Sequence, residues 1–167
     1  GQFFAETWCW DGREWRVVSK KGPTPRRSHS LAYDQQQQRI VLFGGLDSTD
    51  HFQQDTWTWD GQSWQQIGIT GPAPRYTANL TYNAAAKNLM LYGGRDHSDN
   101  WYSDTWEWHK NNWEKFDVTG PRASVGQLTA YVPTEQAVFL MGGIRQRQRF
   151  SEMWLYKNRM WQQIEAE

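Results

Sequence analysis

Apolar residues occur along this chain in short blocks broken by polar turns. Trp8 and Trp10 stand two apart, a spacing that puts both on one face of an extended strand. Asp11-Gly12 follows them and predicts a tight turn, because glycine takes a positive φ cheaply. Ile40-Val41-Leu42-Phe43 is apolar at every position, which predicts a strand covered on both faces. Ser28 to Tyr33 reads as a strand of small residues, Gln35 to Gln38 as a polar hairpin turn, and Asp47 to Gln54 as a polar loop.

These blocks return at a fixed interval. Asp55-Thr56-Trp57-Thr58-Trp59-Asp60-Gly61-Gln62-Ser63-Trp64 is preceded in kind by Glu6-Thr7-Trp8-Cys9-Trp10-Asp11-Gly12-Arg13-Glu14-Trp15. It returns as Asp104-Thr105-Trp106-Glu107-Trp108 with Trp113, and as Glu152-Met153-Trp154-Leu155-Tyr156 with Trp161. Paired glycines at 44–45, 93–94 and 142–143 repeat every 49 residues, as do Tyr33, Tyr82 and Tyr131. A fixed period of this length is the signature of a repeat architecture.

Within one unit the order is Gly-Pro-x-Pro-Arg, a small-residue strand, a polar turn, an apolar run ending in Gly-Gly, a polar loop, Asp-Thr-Trp-x-Trp, a turn and a closing Trp. This resembles the kelch repeat, most of all bacterial kelch proteins with a Trp-x-Trp-Asp-Gly-x-x-Trp signature. The resemblance covers essentially the whole chain. It implies an all-β, kelch-type β-propeller in which each unit is a four-stranded blade, here a partial one of three blades plus one outer half-blade. The expected divisions are 1–21 for the half-blade and 22–70, 71–119 and 120–167 for the blades. A propeller implies no particular chemistry, because one fold carries many functions.

Composition narrows the possibilities. Eighteen Lys plus Arg balance eighteen Asp plus Glu over 167 residues, so the chain lacks the basic excess expected of a nucleic-acid binder. The apolar runs are too short to span a membrane. The single cysteine, Cys9, excludes an internal disulfide, and the twelve tryptophans fall almost entirely at repeat positions, as blade core would. Gly1 aligns with Asp50, within a loop of the following unit. The chain is therefore expected to be a piece of a longer propeller. Its end faces would expose apolar surface and favour self-association. The bacterial resemblance leans towards an envelope or secreted location.

In kelch proteins the end that carries the inter-blade connections and the loops after Gly-Gly commonly binds the partner, and loops on a rigid scaffold are where binding residues concentrate. Asp47 aligns with Asp96 and Asp50 with Asp99, whereas Arg145 and Gln148 hold those positions in the third unit. That end reads as acidic over two units and basic over the third. The plain alternative is solvated loop charge. Trp101 and Tyr102 are candidate aromatic contacts for a protein or for a sugar ring. Arg26 and Arg75 recur in register with the acids Glu6, Asp55, Asp104 and Glu152, which predicts structural pairing with those acids or with nearby carbonyls. In the third unit Ser124 takes the aligned position and Arg122 lies two residues early. Residues that break the repeat are better site candidates: Arg27, His29, His51, His97, Trp101, Arg122, Arg145, Arg147 and Arg149.

No catalytic constellation emerges. His51 and His97 do not align and lack metal-ligand spacing, and Asp96-x-x-Asp99 with Asn100 is a sparse match to a calcium loop. Cys9 lies on an outer strand, unlike the cysteine of kelch-type copper oxidases. The Trp-Asp-Gly-x-x-Trp phrase misses the sialidase Asp-box by one residue. The sequence thus predicts a non-catalytic interaction or scaffold module without cofactor, bound to a protein partner or glycan. The alternative is a carbohydrate-binding module or part of a sugar-processing enzyme.

Overall fold

A computed structural model describes residues 3–68 and 70–165; Gly1, aligned above with a loop position, lies outside them. Every regular element among the described residues is a strand. No helix among them is long and apolar enough to cross a membrane. Three antiparallel sheets of four strands follow one another along the chain. The first is built from Ser30–Asp34, Arg39–Phe43, Thr56–Trp59 and Trp64–Ile67. The second is Asn79–Asn83, Asn88–Tyr92, Thr105–His109 and Asn112–Phe116, and the third is Leu128–Val132, Ala137–Met141, Met153–Lys157 and Met160–Ile164. Thr7–Trp10 and Trp15–Ser19 form a two-stranded sheet before them. The architecture is that of an all-β kelch propeller fragment: three blades and an outer half-blade, with no closed ring among the described residues.

The doubly apolar strands explain how the sheets hold together. In Asn88–Tyr92, Leu89 and Leu91 face the first sheet and pack with Val41, Phe43, Trp108 and Trp113. Met90 and Tyr92 face the third sheet and pack with Val138, Leu140, Tyr156 and Trp161. Each face of the strand therefore belongs to a different core, and the alternation of polar and apolar positions is lost. Aromatic pairs Trp59–Trp64, Trp108–Trp113 and Tyr156–Trp161 lie 5.5, 5.1 and 5.0 Å apart between ring centroids. The matching pair of the half-blade, Trp10 and Trp15, keeps a separation of 5.6 Å but is 49% and 63% exposed. Leu31 and Tyr33 on that side, and Leu128 and Met160 at the other end, are exposed as well.

Three local readings change. The inner strand of the first sheet starts at Ser30, not Ser28, because Ser28 is held at φ 54° and Thr77 matches it at 56°. The polar loop is not wholly irregular: Leu46–Asp47 pairs with Arg26–Arg27 as a short ladder. Asp60 accepts hydrogen bonds from the amides of Gln62 and Ser63 to form a four-residue turn, whereas Lys110-Asn111 and Asn158-Arg159 make two-residue hairpins with positive φ at both positions.

Candidate functional site

The short Arg26–Arg27 ladder has counterparts in the bridges Tyr76 to Arg95 and Val125 to Ile144. Each inter-blade connection is therefore stitched to the loop after Gly-Gly of its own sheet, and all six segments share one end of the molecule. Gly44 and Gly45, at φ 67° and 99°, allow this crossing. The Gly45 amide donates to the Arg75 carbonyl at 2.9 Å, and a Cβ on Gly44 would stand 2.6 Å from that oxygen.

The recurring arginines serve as struts. Arg75 is fully buried; its Nη1 donates to Asp104 Oδ1 at 2.5 Å and to the Gly93 carbonyl at 3.1 Å, and its Nη2 donates to Asp104 Oδ2 at 3.0 Å. Arg26 repeats this with Asp55 and the Gly44 carbonyl. Trp57 and Trp106 donate their indole N–H to the same carboxylates, each at 2.7 Å. Burial pushes the Asp55 and Asp104 carboxyls up, but the arginine hydrogen bonds and charge, with the indole donor, outweigh it and hold both below the usual range. The third unit keeps this pair in altered form. Arg122 reaches Glu152 Oε1 from Nε at 3.0 Å but lies on the surface, while Ser124 fills the buried position.

Asp47 and Asp96 organise their own loops. Asp47 accepts from the amides of Thr49 and His51, the Thr49 hydroxyl and the Gln53 side-chain amide. Asp96 accepts from the amides of Ser98 and Asn100, the Asn100 side chain and the Tyr102 hydroxyl. Both carboxylate oxygens of Asp96 are thus engaged by N–H and O–H donors of its own loop. Tyr102 also lies against Arg75, whose guanidinium carbon is 3.9 Å from the ring centre. Burial, then the bond to Asp96, pushes the Tyr102 phenol up to about 12.

The other candidates separate by location. His29 lines a cleft of about 210 Å³ between the half-blade and the first sheet, beside Arg26, Trp8 and Leu31. Arg27, on the first inter-blade connection, and His51, on the loop after the first Gly-Gly, are both exposed, with Arg27 3.8 Å from Asp50. The His97 and Phe52 ring centres lie 6.0 Å apart in an edge-to-face arrangement. Trp101, Arg122 and Arg145 are brought together: with Ser103, Gln148 and Phe150 they line a cavity of about 590 Å³ between the second and third sheets. Arg147 is exposed at the tip of the neighbouring hairpin, where Ile144–Arg145 pairs with Gln148–Arg149.

Sequence reasoning overlooked Arg95. Its guanidinium carbon is 5.1 Å from the Trp101 ring centre and 5.2 Å from that of Tyr76, and its Nε donates to the Tyr76 hydroxyl. The signal was available, because Arg95 occupies the position held by Leu46 and Ile144 in the other units. Arg145 approaches the same indole at 5.7 Å, so Trp101 carries two guanidinium neighbours.

No curated protein matches the chain. The family model described as the KLHDC2/KLHL20/DRC7 Kelch-repeats domain matches residues 3–167. With that match over nearly its whole length, and with blades built from the paired glycines and tryptophans of each unit, the chain belongs to the Kelch-repeat family.

Proposed function

We propose that this chain is a non-catalytic interaction module that binds a protein partner through its inter-blade connections and the loops after Gly-Gly. Kelch-repeat domains are generally interaction domains, which supports the coarse reading. The observation that carries the finer one is the cavity at Trp101, Arg122 and Arg145. Arg122 and Arg145 stand where the second unit has Ala73 and Asp96, whereas Arg26 and Arg75, which keep to the repeat, are occupied by buried pairing. A concave site with aromatic walls and arginines has the composition of an energetic hot spot. Arg27, Asp47, His51, Asp96 and His97 form the wider rim.

The carbohydrate alternative has less support. Tyr102 already lies against Arg75, and the Trp101 ring has the Arg95 and Arg145 guanidiniums 5.1 and 5.7 Å from its centre, where a sugar would have to stack.

A display selection of random peptides, followed by a hydrogen-exchange footprint of the complexes, tests this reading. Protection is expected at residues 95–103 and 144–150. Protection confined to the opposite turns, around 84–87 and 133–136, would overturn it.

A further inference from the structure

The loop end is electrically polarised, and its polarity follows chain order. Asp47 and Asp50 are the formal charges of segment 46–54, and Arg95 stands against Asp96 and Asp99 in segment 95–103. Segment 144–151 carries Arg145, Arg147 and Arg149 and no acid. The acids most free to meet a partner are Asp50 and Asp99, whose side chains are 80% and 74% exposed. Their nearest cations, Arg27 and Arg95, stand off at 3.8 and 3.4 Å.

On the basic side the cavity has two cationic walls. Arg122 shares its charge with Glu152, but Arg145 has no carboxylate within ion-pair distance among the described residues, and neither do Arg147 and Arg149. The loop that presents them is also built differently. It is a two-residue hairpin with Gln146 at φ 48° and Arg147 at 71°, positions where glycine or asparagine sits with less strain. Arg145, Gln146 and Gln148 line the cavity, while Arg147 and Arg149 stand outside it. Trp101 and Phe150 add aromatic lining, with Ser103 as a neutral donor. Two guanidiniums, two carboxamides and a hydroxyl lining one cavity with an indole have the chemistry of a carboxylate receptor, because arginine pairs with carboxylates through parallel N–H donors.

We infer that this cavity takes an acidic side chain of a partner polypeptide, and that the loop end selects a segment acidic over the third sheet and basic over the first two. The inference rests on the proposed function and deepens it by naming the charge order of the partner. A polypeptide is favoured over nucleic acid, because the acids on the first two loops repel a phosphate backbone run across the same end. The chain also has no net charge to offset that repulsion. Opposed charge on one surface fixes the direction in which a segment lies and excludes its reverse.

The test is fluorescence anisotropy with two labelled peptides of identical composition, one with glutamates grouped at one end and lysines at the other, one with the charges alternating. Saturable binding is expected for the grouped peptide, about tenfold tighter than for the alternating one. Arg145→Glu and the milder Arg145→Gln should weaken it, whereas Arg13→Glu, the same charge change on an exposed turn of the half-blade, should not. No saturable binding, equal affinity for both peptides, or equal loss in Arg13→Glu would overturn the inference. So would equally strong competition by a single-stranded oligonucleotide. Selected peptides that protect the loop end but show no charge bias would remove this inference and leave the proposed function standing. Protection elsewhere would remove both.

Discussion

The Trp113 indole donates its N–H to the Thr56 hydroxyl at 2.9 Å, across the boundary between the first and second sheets. Trp64 does the same to Thr7 at 2.7 Å, and Trp161 to Thr105 at 2.9 Å. Each closing tryptophan therefore reaches back to the blade before its own. Met153 stands where the third sheet would offer the next threonine. In a repeat protein such neighbour contacts sum with the stability of each unit.

Removing the acceptor leaves a buried indole N–H without a partner. Thr56→Val should therefore destabilise the domain by about 1–3 kcal/mol. Trp113→Ala, which also empties part of the core, should lose about 3–5 kcal/mol. Urea unfolding followed by circular dichroism checks both, and equal values for the two variants would contradict the packing described.

The Arg75–Asp104 pair makes a different prediction. Arg75→Ala leaves a largely buried carboxylate uncompensated and should lose about 3–5 kcal/mol. The double variant Arg75→Met, Asp104→Leu should lose less than the sum of its singles, because it removes both charges. The comparison is made by unfolding the three variants side by side; additive losses would mean that the two groups do not act as a pair.

Acid should weaken the domain through the same carboxylates. Asp55 and Asp104 have folded values held below their unfolded ones. Their contribution is fully present above the unfolded value of about 3.9 and is lost as pH falls through the folded value. Stability should be level from neutral pH down to about 5 and should fall below about 4. Asp104→Asn should be weaker at neutral pH and should show a shallower fall in acid, as measured by melting temperature against pH.

Glycine at the head of each linker has a packing reason. A Cβ on Gly71 would stand 2.5 Å from Trp113 Cδ1, and one on Gly22 would stand 2.6 Å from Trp64 Cδ1. Gly71→Ala should therefore cost about 1–3 kcal/mol through overpacking. Gly68→Ala, with nothing within 4 Å, should be close to neutral. Thermal melts of the two variants decide the point.

Much of the scaffold could be read from the chain because its constraints are local and repeated. The Gly-Gly pairs, the Trp-x-Trp strands and the doubly apolar runs each state their own geometry. The Arg–Asp struts could be inferred because both partners recur in register. Contacts that cross units were not visible: the Trp113–Thr56 bond joins residues 57 positions apart. Nor did the alignment show that Arg122 still meets Glu152. Its long side chain bridges the two-residue offset and moves the pair to the surface. Arg95 is legible only as a charge replacing Leu46 and Ile144, and its contacts with Tyr76 and Trp101 need the fold. For the site, composition revealed the polarity, and only the fold brought Trp101 of one unit to Arg122 and Arg145 of the next.

The central claim is that residues constant across the units build the scaffold and residues that depart from them build the binding surface. Melting temperature and affinity for a selected peptide, measured on one preparation of Arg145→Ala, test it most directly. The melting temperature should stay unchanged while binding weakens about tenfold. A lowered melting temperature, with binding lost only in proportion to the folded fraction, would contradict it.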